Sequence, residues 1–338
     1  MKKTALLIAL VSFFSALLLN EYNLIALKKD GIPLRENQTV ITADDISYLR
    51  PALNFLTHGE LKDNTPGAGS YLVRSPGYSS VLIVLGYFFG EKNLLQILKY
   101  FQLLLFAISI YFLFFISFIS LNNKLLSILI SSFYGVSGIA FGFVFYTLTE
   151  GVTPMLIIFF VYFLLRAKIE TREPTKITFY IVSAITLSVI LVSRPVLGIM
   201  GLSIPFLLVA DFRNEIKKLI ILTSFVFILM FSLLTVWLVR NYYKTGQHTG
   251  LYPIYYSQNS MSCFRPTHQA LWDLCKSWGL TGQKFHSVMV PFWSKAISGD
   301  SVYTEIQNII SIFPPAAIEY LGKDNIRGML TKYRNSIF

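Results

Sequence analysis

The stretch 219–243 reads LIILTSFVFILMFSLLTVWLVRNYY, and it decides the class of fold. Residues 219–239 hold no charged side chain, and a bilayer needs roughly 20 apolar residues for each helix that crosses it. The end of the stretch, from Trp237 to Tyr243, joins an arginine to aromatic rings, which is typical of a membrane–water interface. The stretch therefore predicts a transmembrane helix that ends at an interface.

The composition of the whole chain supports the same class. Of the 338 residues, 54% are hydrophobic and 14% are charged, and the mean hydropathy is +0.57. Soluble domains carry about 25% charged residues, so a water-soluble globular enzyme is excluded. The net charge is +11, and the basic residues lie in the gaps between apolar runs, as expected for contact with anionic lipid headgroups. They form no basic stripe, so the sequence does not indicate a nucleic-acid partner.

Further apolar stretches precede this one. Lipid permits only helices or closed barrels, and these runs are too long and too weakly alternating for barrel strands. The sequence therefore predicts an all-α polytopic membrane protein, with apolar stretches at 5–19, 77–90, 94–120, 125–148, 152–165, 177–193, 195–210 and 219–239.

The first stretch, 5–19, fits either a secretory signal or a first transmembrane helix. No small-x-small cleavage site closes it, and apolar character resumes at 24–27. We therefore favour an uncleaved anchor with a cytoplasmic amino end, which places the loop 28–74 outside.

The crossing count follows from the charged gaps. We place the basic gaps 166–176 and 211–218 inside, which requires an odd number of crossings between residues 74 and 166. Four apolar stretches lie there, so one of them cannot span. The shortest, 77–90, is the candidate for an interfacial or re-entrant helix, and the alternative is a different division of 125–165. The predicted organisation is a transmembrane core, 1–240, and an outer-face segment, 241–338.

The long outer loop contains the residues most suggestive of chemistry, Asp44 and Asp45. In one interpretation Thr42 caps a helix whose first turn holds both carboxylates, where the helix dipole favours negative charge. In the other, two adjacent carboxylates form a general base or a metal site, because each raises the proton affinity of its neighbour.

Other candidates lie at the ends of apolar stretches. Arg74 leads through Ser-Pro-Gly to Tyr78, Glu150 lies between two apolar runs, and Arg194 precedes a proline within another. Ionisable groups near membrane depth are costly, and they indicate function unless the residue is in a loop that reaches water. Arg240 has the simpler alternative of an arginine that reaches the interface beside an aromatic belt.

Metal and thiol chemistry have weaker support. The histidines His58, His248, His268 and His286 show no ligand spacing, and the cysteines belong to no CxxC pair. Cys263 and Cys275 form either a disulfide or two free thiols.

Five motifs, in order, resemble the GT-C glycosyltransferases, the group related to protein O-mannosyltransferases and to lipid A aminoarabinose transferases. The resemblance covers roughly residues 1–250. Asp45 replaces a Glu that is common in the family, and the chain is shorter than most relatives. The matching motifs are Asp44-Asp45 with Tyr48 and Ala52, Arg74-Ser75-Pro76-Gly77-Tyr78, Thr149-Glu150, Arg194-Pro195, and Trp237 to Tyr242.

The resemblance implies a GT-C-like helix bundle with juxtamembrane helices in the first outer loop. It also implies transfer of a sugar from a polyprenyl-phosphate donor to an acceptor hydroxyl of a glycan, lipopolysaccharide, lipid or protein. The expected place is the outer (periplasmic) face of the plasma (inner) membrane, and the expected stereochemistry is inversion.

The resemblance also implies roles for single residues. Asp44 is the general base, and Asp45 orients the acceptor or shares the proton, with a divalent metal possible at the pair. The residues expected at the donor phosphate and sugar are Arg74, Tyr78, Glu150, Arg194 and Arg240, and those expected to support them are Tyr48, Asn241 and Tyr242.

Two other functions fit the same features. A transporter or flippase of a lipid-linked saccharide would also have many spans with embedded charges, but no inverted repeat is evident. The short carboxyl end would also fit an inactive GT-C relative that serves as an assembly subunit.

Overall fold

The computed structural model describes residues 1–29, 45–64 and 74–246, together with the backbone of two short strands. The chain divides into two compact units, Met1–Ser262 and Cys263–Phe338. Asp44, Cys275 and three of the four histidines lie outside the described residues. The two alternatives for the cysteines, a disulfide or two free thiols, are therefore not tested.

The first unit is built almost entirely from helices. Among the described residues, four 3₁₀ segments interrupt them, at Glu91–Asn93, Phe143–Phe145, Thr149–Gly151 and Pro195–Leu202. Strands β1 (Ile254–Ser257) and β2 (Ser260–Cys263) pair with each other. The helices are α1 (Lys2–Lys29), α2 (Ile46–His58), α3 (Pro76–Phe89), α4 (Leu94–Leu121), α5 (Lys124–Val136), α6 (Gly138–Gly142), α7 (Thr153–Ile169), α8 (Glu173–Ser193), α9 (Ser203–Phe212) and α10 (Ile216–Thr245).

Within the described part of the chain, four helices are long and apolar enough to cross a bilayer. They are the segments Lys2–Ala26, Glu91–Leu121, Glu173–Ser193 and Ile216–Thr245. Many large apolar side chains on α10 are exposed, among them Ile216, Ile228 and Val236, as expected of a helix that faces lipid. The prediction of a helical membrane protein is confirmed at this level.

Two predicted spans are not single helices. The stretch 125–148 breaks at Ser137, whose extended backbone separates α5 from α6. The stretch 195–210 begins as a 3₁₀ segment and continues as α9. Arg194, the residue before the proline, leaves the helical region with φ −143° and ψ 88°, because a following proline disfavours the α conformation.

Helix α3 has 14 residues and is therefore about 21 Å long, shorter than the roughly 30 Å of a bilayer core. Helix α5 is shorter still, with 13 residues, so helix length does not identify the stretch that fails to span, and this assignment stays a prediction.

Helix α2 begins later than one sequence interpretation required. Its first helical residue is Ile46 and Asp45 is its N-cap, so Asp45 does not lie in its first turn. The interpretation in which the first turn holds both acids is wrong. Thr42, its proposed cap, lies outside the described residues.

Helix α1 is an integral part of the core. Its buried Ala9 and Ala16 pack with Leu103, Phe106 and Ile110 of α4. Its Ser12 lies so close to α5 that a Cβ atom on Gly135 would be 2.0 Å from the serine Oγ. Small residues thus permit close approach of these helices, as is common between helices in lipid.

A second core joins α7, α8, α9 and α10, and a polar network closes one end of it. Asp211, at the end of α9, accepts hydrogen bonds from Lys168 Nζ at 2.8 Å and from Tyr180 Oη at 2.9 Å. Lys176 Nζ lies 3.2 Å from the same carboxylate. The gaps 166–176 and 211–218 therefore meet at one end of the bundle, while the side of the membrane they face stays a prediction.

We expect Asp211→Asn to lower the free energy of unfolding by about 1–3 kcal/mol, because hydrogen bonds to a charged group are lost. The ion pair with Lys168 contributes less to this loss than a buried pair would, because the lysine is exposed to solvent. Burial raises the pKa of Asp211, but the hydrogen bonds from Lys168, Tyr180 and Lys176 and the charge of Lys176 outweigh burial, so the net pKa is lowered. The measurement is unfolding in detergent across a pH series.

Because the pKa of Asp211 is lower in the folded than in the unfolded protein, its ionised form stabilises the fold. This stabilisation is complete above the unfolded-state pKa of about 3.9 and is lost as the pH falls through the folded-state pKa. The difference between wild type and Asp211→Asn should therefore be constant from about pH 5 to pH 8 and shrink in acid. The control is Glu91→Gln, at an exposed carboxylate. An equal loss in both variants would contradict the role of Asp211.

Candidate functional site

The first turn of α3 connects the parts of the candidate site. Pro76 begins the helix, where the missing N–H of proline costs nothing. Gly77 packs against the end of α8 so closely that a Cβ atom would lie 2.3 Å from Ser193 Oγ and 2.7 Å from Ser193 N. Ser79 Oγ donates to the carbonyl of Tyr48 at 2.9 Å. α3 is thereby fixed to both α2 and α8.

Three predicted residues come together beside this turn. Arg74 Nε donates to Ser47 Oγ at 2.9 Å, and its Cζ lies 5.2 Å from the centre of the Tyr48 ring. The Tyr48 and Tyr78 rings meet edge to face, with centres 5.3 Å apart. An arginine held against an aromatic face keeps its charge in a fixed place.

The acidic residue Asp45 is completely buried next to this cluster. Its carbonyl accepts the backbone N–H groups of Tyr48 and Leu49 at 3.1 and 3.0 Å. Burial raises the pKa of Tyr78 well above its ordinary value, and Tyr48, Glu150 and Asp45 raise it further by their charges. Asp45 and Glu150 therefore belong to the electrostatic surroundings of Tyr78.

Arg194 and Glu150 form an ion pair across two distant parts of the chain. Arg194 Nη2 donates to Glu150 Oε1, and Arg194 Nε donates to Thr149 Oγ1 at 3.0 Å. Thr149 Oγ1 in turn donates to Glu150 Oε2 at 3.1 Å. The arginine side chain is 41% exposed and the glutamate 31%, so a ligand could reach both of them.

Arg240 lines an apolar groove of about 650 Å³. Its guanidinium donates to the Leu61 carbonyl and to Asn241 Oδ1, and it lies 4.6 Å from the centre of the Trp237 ring. The groove wall is mostly apolar and includes residues of α2, α3, α8 and α10, and its ionisable lining residues are Glu60, Arg240 and Lys244. Asn241 is buried, whereas Tyr242 is exposed with its ring against Tyr243.

The first turn of α3 lies beside the groove and also beside the cluster of Tyr48 and Tyr78. Pro76 and Gly77 line the groove, and Tyr78 follows them directly. The structure thus brings Arg74, Tyr48 and Tyr78 into one cluster, Glu150 and Arg194 into a second, and Arg240 and Asn241 into a third.

Two buried polar residues of α4 were missed by sequence reasoning. Tyr78 Oη donates to Gln102 Oε1 at 2.8 Å, and Gln102 Nε2 donates to the carbonyls of Val144 and Tyr146 at 2.6 and 3.1 Å. Lys99 Nζ pairs with Glu21 of α1 at 3.2 Å. The available signal was an amide and a cation within an otherwise apolar stretch, where polar groups are costly.

The metal prediction is not resolved by the described residues. Among them, no three His, Cys, Asp or Glu side chains form a group that could hold a metal ion. Asp44 lies outside this part of the chain, so a divalent ion at Asp44 and Asp45 stays a prediction.

Comparison with known proteins adds no assignment: no protein-family model, curated protein or solved structure matches the chain significantly.

We expect Gly77→Ala to lower the free energy of unfolding by about 1–3 kcal/mol, the usual effect of overpacking, because the added methyl group would meet the backbone of α8. Thermal unfolding in detergent measures the loss. Gly142→Ala is the matched control, since nothing lies within 4 Å of a Cβ atom at that helical position. Equal stability of the two variants would contradict the close packing of α3 on α8.

Proposed function

We propose that the chain is a membrane glycosyltransferase that moves a sugar from a polyprenyl-phosphate donor to an acceptor hydroxyl on the outer face of the plasma membrane. The observation that carries the proposal is an apolar groove whose lining includes two cations, Arg240 and Lys244. An isoprenoid tail suits its apolar walls, and the volume is within the range of about 300–1,000 Å³ of ligand sites.

The charges that line the groove suit a lipid phosphate. Glu60 is ionised, because a hydrogen bond from Lys62 and the charges of Lys62, Lys244 and His58 lower its pKa, but its negative charge is offset by the ion pair with Lys62. Arg240 and Lys244 supply two positive charges to the same lining, and guanidinium groups bind phosphate oxygens in a bidentate manner.

The proposed reaction is a direct displacement at the anomeric carbon. The acceptor oxygen forms a bond to that carbon, the carbon–oxygen bond to the phosphate breaks, and the acceptor proton passes to Asp44. Displacement from the opposite side inverts the configuration. Asp45, the buried neighbour of Asp44, orients the acceptor or shares the proton.

The leaving phosphate gains negative charge, which fixed cations stabilise. Arg74, Arg194 and Arg240 are the proposed cations, and each is held by contacts described above: Arg74 by Ser47 and Tyr48, Arg194 by Glu150 and Thr149, and Arg240 by Trp237 and Asn241. Tyr78 is buried with its hydroxyl bonded to Gln102, so we assign it to support of the site rather than to direct contact with the donor.

The first test concerns the acids. Purified protein supplied with radiolabelled polyprenyl-phosphate sugar and a membrane extract should transfer label to an acceptor. Asp44→Asn should abolish transfer at unchanged expression, because the general base is lost, and Asp45→Asn should lower it. Full transfer by Asp44→Asn would contradict the assignment of the base. Movement of the labelled donor from one leaflet of a vesicle membrane to the other, without transfer of the sugar to an acceptor, would instead favour a flippase.

The second test concerns the groove. Val84 lines it and is 53% exposed, whereas Val209 is 50% exposed and lies on α9. We expect Val84→Trp to raise the KM for a long-chain donor about tenfold or more, because the indole occupies space needed by the tail. A donor with one or two isoprene units should be affected less.

Val209→Trp is the matched control and should leave both KM values unchanged. The same effect of Val84→Trp on long and short donors, or no effect on either, would contradict binding of the tail in the groove.

A further inference from the structure

Gln102 occupies an unusual position inside the bundle. It is buried on α4, and both polar atoms of its amide form hydrogen bonds. The oxygen accepts a hydrogen bond from Tyr78 of α3, and the nitrogen donates hydrogen bonds to the carbonyls of Val144 and Tyr146. These two carbonyls belong to the break that follows α6. A buried backbone carbonyl without a hydrogen-bond partner is costly, so this amide replaces hydrogen bonds that a continuous helix would have supplied.

The far end of the same segment also contacts Gln102. A Cβ atom on Gly151 would lie 2.4 Å from Gln102 Oε1 and 2.8 Å from its Cδ. Residues 144–151 therefore wrap around one side chain, with hydrogen bonds at the beginning of the segment and close packing at its end.

Thr149 and Glu150 lie inside this segment, and they hold the guanidinium of Arg194. We propose that Gln102 is a positioning residue: by fixing residues 144–151, its amide keeps the Glu150–Arg194 pair in register with the first turn of α3. This inference rests on the proposed transferase function, in which Arg194 stabilises the leaving phosphate.

The chemistry of the amide explains why this residue type is required. A neutral amide donates through its nitrogen and accepts through its oxygen at the same time. A carboxylate at this place could accept from Tyr78 but could not donate to the two carbonyls, and a leucine could do neither.

The test compares Gln102→Leu and Gln102→Glu with Ser109→Ala. Ser109 is a matched control, because it is buried on α4 and its hydroxyl bonds only within that helix, to the Phe106 carbonyl at 2.7 Å. Displacement of a group by about 1 Å can cost 100-fold in rate, so both Gln102 variants should lose about 10- to 100-fold in kcat. Their donor KM should change less than about threefold, and Ser109→Ala should retain both values.

A double variant asks whether Gln102 acts through Glu150. If it does, Gln102→Leu should have little further effect on kcat in a Glu150→Gln background, because residues that act as a unit are non-additive. Fully additive losses would overturn the proposal, and so would a Gln102→Leu variant with wild-type kcat.

Hydrogen exchange gives a readout that does not depend on turnover. Amides of residues 144–151 should exchange faster in Gln102→Leu and in Gly151→Ala than in wild type or Ser109→Ala. Unchanged exchange would overturn the proposal. A wild-type chain that transfers no sugar would refute the proposed function, and exchange would then decide by itself whether Gln102 holds the segment.

Discussion

The close backbone contact between Gly77 and the end of α8 is the constraint on which the candidate site depends. It sets the first turn of α3 directly beside Ser193, and the next residue along the chain is Arg194. The same turn lines the groove through Pro76 and carries the buried Tyr78. A side chain at position 77 would separate these parts, so the absence of a side chain there allows the Tyr48–Tyr78 contact and the end of α8 to lie beside one helical turn.

The general architecture was predictable because the physics of the bilayer is simple. Apolar length identifies α4, α8 and α10 almost directly, since a helix that crosses lipid must be long and uncharged. The breaks were less predictable. A hydropathy average over 125–148 is high whether the backbone is continuous or not, and near the end of this stretch the carbonyls of Val144 and Tyr146 accept hydrogen bonds from Gln102 of another helix. These hydrogen bonds join residues that are far apart in the sequence, so no local sequence pattern predicts them.

The same distinction applies to the candidate site. Charged residues such as Glu150 and Arg194 could be selected from the sequence, because a charge between apolar runs is conspicuous, and the structure pairs these two with each other. Gln102 could not be selected in this way. Its partners are backbone carbonyls 42 and 44 residues away, and a lone amide in an apolar run gives only a weak signal. The exact start of α2 was also missed, because acidic residues are favoured both at the N-cap of a helix and in its first turn.

Helix α10 has one more consequence, which concerns the membrane itself. Its 30 residues make a rod about 45 Å long, whereas the hydrocarbon core is roughly 30 Å thick. The uncharged part of α10, residues 219–239, is about 30 Å long and fits this core, so we expect the polar ends of the helix to project into the headgroup regions. Arg240 and Lys244 belong to one of these ends and also line the groove. We therefore expect the headgroup composition of the bilayer to affect the surroundings of this part of the groove.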